Sequence, residues 1–533
     1  MISALVPFAL FEIGSSGLRG WMEDLVAGVL PSVYQISSFD WVLVGLYLAT
    51  MVVLSCYGLH RYQLVYLYHK HKRNTPGEPE GRFEKLPRVT VQLPIYNEQY
   101  VVEQLLESIC RLDYPRDLLQ IQLLDDSTDE TQQVARAACR RLAGLGHPVE
   151  YLHRNHRRGY KAGALQAGLA TARGELIAIF DADFSPDADF LSKTIHYFTD
   201  PKVGMVQGRW TYRNRDHSLL TRIQAILLDG HFVFEHGARS RSGRFFNFNG
   251  TAGVLRRTTI EDAGGWQFET LTEDTDLSYR AQLRGWKFLY LPQLEVPSEL
   301  PVDMTSFQAQ QARWAKGLIQ TAKKILPVLL RSNLPLKVKA EACFHLTGNI
   351  SYPLMVVLSI LLLPAIVVRY YHWSGQLLYL DIPLFLGTFS SLSTFYVLSQ
   401  KELYPRRWRR AVLMLPALMA VGIGLTLTNA RAVMEALLGI ASPFQRTAKY
   451  STDQSRAQLA RGKYRVRGGW LPTAHLAAGS YFGFCILCCL LIGNWATMPF
   501  LMVFVMGYYF TGVLMLVQSR QSRLASREQG LLE

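Results

Sequence analysis

The chain has 533 residues, 49% of them hydrophobic, and its 56 Lys and Arg outnumber its 42 Asp and Glu for a formal net charge of +14. That length accommodates more than one structural unit, and the hydrophobicity is too high and too unevenly spread for a uniformly soluble protein. The basic residues sit beside apolar runs rather than in a stripe of their own, so a nucleic-acid partner loses most of its support.

Residues 1–40 lack a basic start followed by a short apolar core and a small-residue cleavage site. The first apolar run therefore reads as an anchor rather than a removable signal, with 1–40 expected outside the cytoplasm or along the interface. That run, "WVLVGLYLATMVVLSCYGL" at 41–59, is uncharged over a length that spans a bilayer. From about 85 to 320 no comparable run occurs, which predicts a soluble domain. An interfacial region is expected at 321–343, and apolar runs return at 344–368, 380–400, 411–428, 472–492 and 496–518.

Basic clusters follow the first, third and last of these runs: "HRYQLVYLYHKHKR", "KELYPRRWRR" and "SRQSRLASR". Positive charge favours the cytoplasmic side. All three stay there if the chain crosses at 41–59, twice within 344–400 and twice within 472–518, with 411–440 lying in the interface. The soluble domain, the stretch 441–470 and the tail 519–533 are then cytoplasmic. Cys485, Cys488 and Cys489 fall inside an apolar run with no partner pair, which predicts packing rather than a metal or a disulfide.

Within the soluble domain, "RVTVQLPIYNE" (88–98), "LQIQLLDDSTDE" (119–130) and "ELIAIFDADF" (175–184) read as buried strands. Helical patterns at 98–112 and 130–143 separate the first two and follow the second, the latter with Ser127 and Glu130 spaced as a capping box. Alternation at this spacing predicts an α/β domain with a mostly parallel sheet. Ligands of such sheets bind beyond the carboxyl ends of the strands, where Asp125-Asp126 and Asp181-x-Asp183 would fall. Either pair alone is ordinary turn or cap material. Together they crowd carboxylates that repel one another unless a cation intervenes, and oxygen ligands suit Mg²⁺ or Mn²⁺ with a phosphate. Lys161 in "RRGYKAGAL" would add positive charge. No G-x-G-x-x-G and no G-x-x-x-x-G-K-[ST] occurs, which argues against dinucleotide oxidoreductases and P-loop NTPases.

The stretch "FETLTEDTDLSYR" at 268–280 gathers Glu269, Glu273, Asp274 and Asp276. Acids at a helix start are often no more than a complement to the helix dipole. The ordered set "LDDSTD", "FDADF", "FNGTAG", "LTEDTDL" and "QQARW", however, resembles processive family-2 glycosyltransferases of the cellulose synthase type. "GYKAGAL", "FNGTAGVLRR" and "GWKFLYL" resemble in particular the plant cellulose-synthase-like proteins that make β-mannan or glucomannan. The likeness is strong over about 88–320.

The resemblance implies a GT-A-like domain and a set of roles. Asp125 or Asp126 would contact the nucleotide, and Asp181 and Asp183 would hold the diphosphate through Mg²⁺ or Mn²⁺ beside Lys161. Asp274 would be the general base and Arg313 would face the leaving diphosphate. Gln310 and Trp314 would position the terminal sugar, and Asn249, Thr251 and Glu273 are placed at the acceptor. Phe444, Thr447 and Lys449 in "FQRTAK" match a gating loop, with Arg446 where the family has Val. Phe184 stands where bacterial cellulose synthases have His. Asp274 must stay ionised, so polar surroundings are expected; Trp210, Trp266, Trp286, Phe245, Phe246 and Phe248 invite a sugar-stacking reading, with most of them expected in the core.

These features imply an integral membrane enzyme (inner, plasma or Golgi-type membrane) that elongates a β-linked glycan from UDP-glucose or GDP-mannose with inversion and passes it across the bilayer. The alternative is a single transfer to a lipid acceptor. Its partners would be the nucleotide sugar, the growing glycan and the bilayer; homo-oligomerisation stays open.

Overall fold

The computed structural model describes residues 37–372, 378–441, 469–491 and 494–529. Helix α1 (Ser38–Lys70) starts at a capping box in which the Ser37 N–H donates to Asp40 Oδ2 at 2.8 Å. At 33 residues it is about 50 Å long, well beyond the ~30 Å hydrocarbon layer. Its far end instead meets the soluble domain, where Tyr68 packs edge-on against Phe234 at 5.1 Å.

That domain is built on seven strands: β1 (Val89–Ile95), β2 (Leu119–Asp125), β3 (Val149–His153), β4 (Leu176–Ile179), β5 (Val203–Tyr212), β6 (Gly253–Arg256) and β7 (Lys287–Ser298), in spatial order β3-β2-β1-β4-β6-β5-β7. Only β6 runs antiparallel to its neighbours. The alternation in "VTVQLPI" explains the layering, since successive side chains leave a strand on opposite faces. Val89, Val91, Leu93 and Ile95 enter one core with α2 (Val102–Cys110) and α3 (Thr131–Gly144). The other face carries a buried polar ladder, in which Thr90 Oγ1 donates to Gln120 at 2.8 Å and Gln92 Nε2 to Gln122 at 3.0 Å. Helix α4 (Tyr160–Thr171) covers that face through Ala162, Leu165 and Leu169.

The helix predicted at 130–143 forms, but the capping box at Ser127 does not. The Ser127 hydroxyl accepts the Asn97 N–H at 2.8 Å, tying the ends of β1 and β2 together. The Thr131 N–H is taken instead by the Asp129 carboxylate at 3.0 Å.

Five helices frame the carboxyl edge of the sheet or lead from it: α5 (Leu219–Gly230), which runs into a π-helical turn at His231–His236, α6 (Glu273–Leu283), α7 (Met304–Arg331), α8 (Leu336–Thr347) and α9 (Ser351–His372). Then come α10 (Leu378–Leu403), α11 (Arg409–Gly424), α12 (Thr426–Leu437), α13 (Leu471–Leu491) and α14 (Met498–Gln529). Among the described residues, Ser38–Lys70, Leu336–Val368, Leu471–Leu491 and Met498–Arg520 are long and apolar enough to cross a membrane. They share an apolar core from Tyr47 and Met51 through Leu362 and Phe482 to Phe504 and Tyr508. The stretch predicted as one interfacial helix, 411–440, is broken at Leu425 into two helices bent by 40°. The second, α12, packs Val433 and Ala436 on Ala315 and Ile319 of α7, beside a Lys316–Glu435 ion pair at 2.9 Å. The "FQRTAK" stretch lies outside the described residues.

Candidate active site

The carboxyl edge of the sheet opens into a cleft of about 220 Å³, lined on one side by Asp126, Lys161, Asp181 and Asp183 and on the other by Glu273, Asp274, Gln310, Arg313 and Trp314. Sequence-distant acids are thus brought to one place by strand ends and helix starts.

The two acids after β2 separate, as consecutive residues of an extended chain must. Asp125 is fully buried and does not line the cleft; its carboxylate accepts the Ser127 N–H at 2.8 Å and the Tyr151 hydroxyl at 2.7 Å. Of the two acids, only Asp126 lines the cleft. Arg154 grips that carboxylate through Nε, at 2.7 Å, and through a terminal nitrogen, a fork that fixes its orientation.

Asp181 and Asp183 follow β4. The Asp181 N–H donates to Thr251 Oγ1 at 2.9 Å, and its carboxylate receives Lys161 Nζ at 2.6 Å. Lys161, in the first turn of α4, also donates to the Gly250 carbonyl at 2.9 Å. Thr251 is fully buried, so it positions Asp181 rather than lining the acceptor side as expected. Asn249 does line the cleft, with its carboxamide oxygen accepting from Asn247 Nδ2 at 2.9 Å. Between them Gly250 has φ +80°, and a Cβ there would stand 2.9 Å from Asp274 Oδ2. A glycine is required both by the left-handed backbone and by the closeness of the carboxylate.

Helix α6 presents Glu273 and Asp274 from its first turn, and the Thr275 N–H donates to Asp274 Oδ1 at 2.6 Å. The remaining acids of the stretch are structural. Asp276 is fully buried between Arg280 at 2.8 Å and Lys324 at 3.0 Å, and Glu269 meets the same Lys324 at 3.0 Å. Lys324 belongs to α7, so these pairs clamp α6 to the helix that carries Gln310, Arg313 and Trp314. Their spacing i, i+3, i+4 puts all three on one face. Gly317 lets α7 approach closely, since a Cβ there would lie 2.6 Å from Thr272 Cγ2.

The expectation of polar surroundings for Asp274 is not met. Burial, reinforced by the charge of Glu273, pushes its carboxyl up to about 7, against the pull of Lys161. Glu273 is raised as well, chiefly by burial, with Lys161 opposing. Burial works against the Lys161 ammonium, but Asp181, Glu273 and Asp274 outweigh it and its pKa ends above the ordinary value. Burial lowers Arg313, opposed by Glu273, Asp181 and Asp274, and a guanidinium remains protonated at any ordinary pH.

The carboxylates of Asp181, Asp183, Glu273 and Asp274 thus share the cleft with Lys161 and Arg313, beside Asp126. Among the described residues no three Asp, Glu, His or Cys groups converge on one metal position. Two carboxylates on one side of an acid-rich cleft nonetheless fit Mg²⁺ or Mn²⁺. Such ions often take one or two protein carboxylates and complete their shell with substrate phosphate and water.

Several cleft residues escaped the sequence reading. Tyr212 of β5 lines the cleft, as do Tyr96, Arg157 and Phe268, beside Trp210, which the sequence had singled out. The Arg157 guanidinium lies 3.3 Å from the Tyr96 ring centroid. Trp210 is half-buried against the core while it lines the cleft, and Trp266, Phe246 and Phe248 are found in the core as expected. Only the end-of-strand position of Tyr96 and Tyr212 hinted at their placement.

A mostly parallel sheet with Asp181-x-Asp183 at its carboxyl edge, closed by helices bearing Asp274 and Gln310-x-x-Arg313-Trp314, is the arrangement of motifs that the resemblance implied. Residues 87–317 match the family described as glycosyltransferase like family 2. Glucomannan 4-beta-mannosyltransferase 2 of Arabidopsis thaliana is 45% identical over 251 residues, covering 46% of this chain and 47% of that protein. Glucomannan 4-beta-mannosyltransferase 1 of Oryza sativa subsp. japonica is 42% identical over 260 residues, covering 48% and 50%. The chain thus spans about half the length of the curated relatives it matches. Among solved structures, the mannosyltransferase PcManGT from Pyrobaculum calidifontis, in complex with GDP-Man and Mn²⁺, aligns over 68% of this chain and 99% of its own. Its TM-score is 0.49 at 23% identity.

Proposed function

We propose that this chain is a membrane-embedded, inverting and processive glycosyltransferase that elongates a β-linked glycan and passes it through its own helices. The observation that carries the reading is the convergence of Asp274, Arg313 and the Asp181-x-Asp183 pair on one cleft. The names of the mannosyltransferase relatives favour GDP-mannose as donor, with UDP-glucose as the other candidate. The four apolar helices flanking the domain favour a bilayer setting, and the basic clusters favour a cytoplasmic cleft.

In this reading Asp274 accepts the proton of the acceptor hydroxyl as that oxygen bonds to the anomeric carbon. The bond from that carbon to the diphosphate oxygen breaks on the opposite side, so an α-linked donor gives a β-linked product. A base near neutrality suits this task, since proton transfer is most effective when the catalytic pKa lies near the working pH. Arg313 faces the negative charge that develops on the departing diphosphate, in a site where burial strengthens electrostatic attraction. A bound Mg²⁺ or Mn²⁺ would neutralise the same charge, held by Asp181 and Asp183. Lys161 braces Asp181 and, through the Gly250 carbonyl, the loop against Asp274. Asp126 and Arg154 hold the nucleotide side, and Gln310, Trp314 and Asn249 orient the acceptor end.

The test uses the full chain in proteoliposomes, given GDP-mannose or UDP-glucose with Mg²⁺ or Mn²⁺. A high-mass product from one donor, abolished by chelating the metal and restored by returning it, is expected. Nucleotide release with only a lipid-extractable single-sugar product would replace processive synthesis with single transfer. Full turnover in the presence of chelator would remove the metal from the reading.

A further inference from the structure

The cleft has a wall that none of the roles above uses. Strand order places Asp126 at the β2 end of the sheet, Asp181-x-Asp183 after central β4, and Trp210 and Tyr212 on β5 beyond β6. The two aromatics therefore lie across the Asp-x-Asp pair from the nucleotide side. They are two residues apart on one strand and so share a face. In the same stretch the register of β5 with β7 jumps between Gly208 and Arg209, from Leu291 to Glu295.

Both rings carry a polar atom left without a partner. Trp210 Nε1 and Tyr212 Oη are buried and make no hydrogen bond among the described residues. Tyr212 is only 9% exposed. Buried donors are almost always paired, and an exception calls for an explanation. Burial also raises the Tyr212 phenol well above its ordinary value, so it remains a donor. The indole is held by Phe184 at 5.2 Å and Phe232 at 5.3 Å between ring centroids, and Leu300 and Pro301 extend the apolar surface beside it.

Resting on the glycosyltransferase reading, we propose that Trp210 and Tyr212 form a sugar subsite on the acceptor side of the cleft, where the Trp210 Nε1–H and the Tyr212 hydroxyl donate to hydroxyls of the bound glycan. A hexose suits such a wall because its C–H faces pack on aromatic rings while its hydroxyls accept hydrogen bonds. Phe184, directly after the Asp-x-Asp pair, then acts as a positioning residue that sets the plane of the Trp210 indole.

The experiment uses the full chain in nanodiscs with Tyr212→Phe, which removes only the hydroxyl, and Trp210→Phe. Four quantities are read: melting temperature, nucleotide-sugar affinity by calorimetry, donor turnover without added acceptor, and KM for short β-linked manno- or gluco-oligosaccharides. Loss of one hydrogen bond to an uncharged sugar should raise the acceptor KM of Tyr212→Phe about threefold to tenfold. Its donor affinity and melting temperature should stay at wild-type values. An unchanged acceptor KM in both variants would overturn the subsite. So would an equal weakening of donor affinity, or a lowered melting temperature of Tyr212→Phe at wild-type KM, which would make the hydroxyl a packing group. Wild-type protein that binds no nucleotide sugar and turns none over would instead sink the underlying reading, a failure visible before any oligosaccharide is added.

Discussion

The acids after β2 and the acids opening α6 look alike in sequence and differ in what the fold does with them. Asp125 is fully satisfied by a backbone N–H and a tyrosine hydroxyl, and Asp126 is gripped by Arg154. Asp274 keeps one backbone donor, faces Gly250, and shares its burial with Glu273. The first region uses carboxylates to hold its shape; the second holds one at a cost, with its proton affinity raised toward neutrality. A carboxylate that the fold leaves under-neutralised is the better candidate for chemistry.

The strongest way to break this contrast is to remove the charge from Asp274. Asp274→Asn should lower kcat by about 10² to 10⁴, the range associated with a general base, while nucleotide-sugar affinity stays near wild type. Substantial retained turnover would mean that another group takes the proton.

A pH series sharpens the same point. Because burial raises the carboxyl to about 7, log kcat/KM of the free enzyme should climb with unit slope from the acid side and level off above about 7. The effect on stability runs the other way. An unfolded Asp titrates near 3.9, so ionising Asp274 in the fold destabilises it as the pH rises from there through about 7. Asp274→Asn should therefore melt higher than wild type at alkaline pH, with the gain shrinking as the medium is acidified. A rate profile flat across neutrality would contradict the assignment.

Asp125 should respond in the opposite sense. Asp125→Ala strands the buried Ser127 N–H, at about 1–3 kcal/mol, and takes the acceptor from the half-buried Tyr151 hydroxyl. A clear fall in melting temperature is expected, and a variant as stable as wild type would show that these bonds do not hold the loop. The smallest effect belongs to Glu269, whose side chain is 63% exposed beside Lys324. Glu269→Gln should change stability by no more than about 1 kcal/mol, as exposed ion pairs do; a large loss would give the clamp between α6 and α7 more weight than its exposure allows.

Much of this was legible without coordinates. The buried parallel strands read directly because β1 and β2 are β-branched or Leu-rich runs that end in polar residues. The spans read because uncharged stretches of that length have few other uses. The misreadings share a cause. Ser127 had the spacing of a helix cap, but the Asn97 N–H claimed its hydroxyl from another strand. Thr251 sits two positions from the cleft-lining Asn249, yet its hydroxyl is turned to the Asp181 N–H. Trp210 looked like core, and its ring both packs on the core and lines the cleft.

The sequence by itself determined the inventory: which strands alternate, which runs suit a bilayer, and the ordered acids, arginine and tryptophan that the cleft contains. Those properties are local, set by side-chain period and composition. Only the tertiary structure decided which acid is scaffold and which is poised, because a carboxylate's proton affinity and hydrogen-bond partners depend on groups distant in the chain. Asp274 meets Lys161 and Gly250, and Asp276 meets Lys324, solely because α4, α6 and α7 converge on one edge of the sheet.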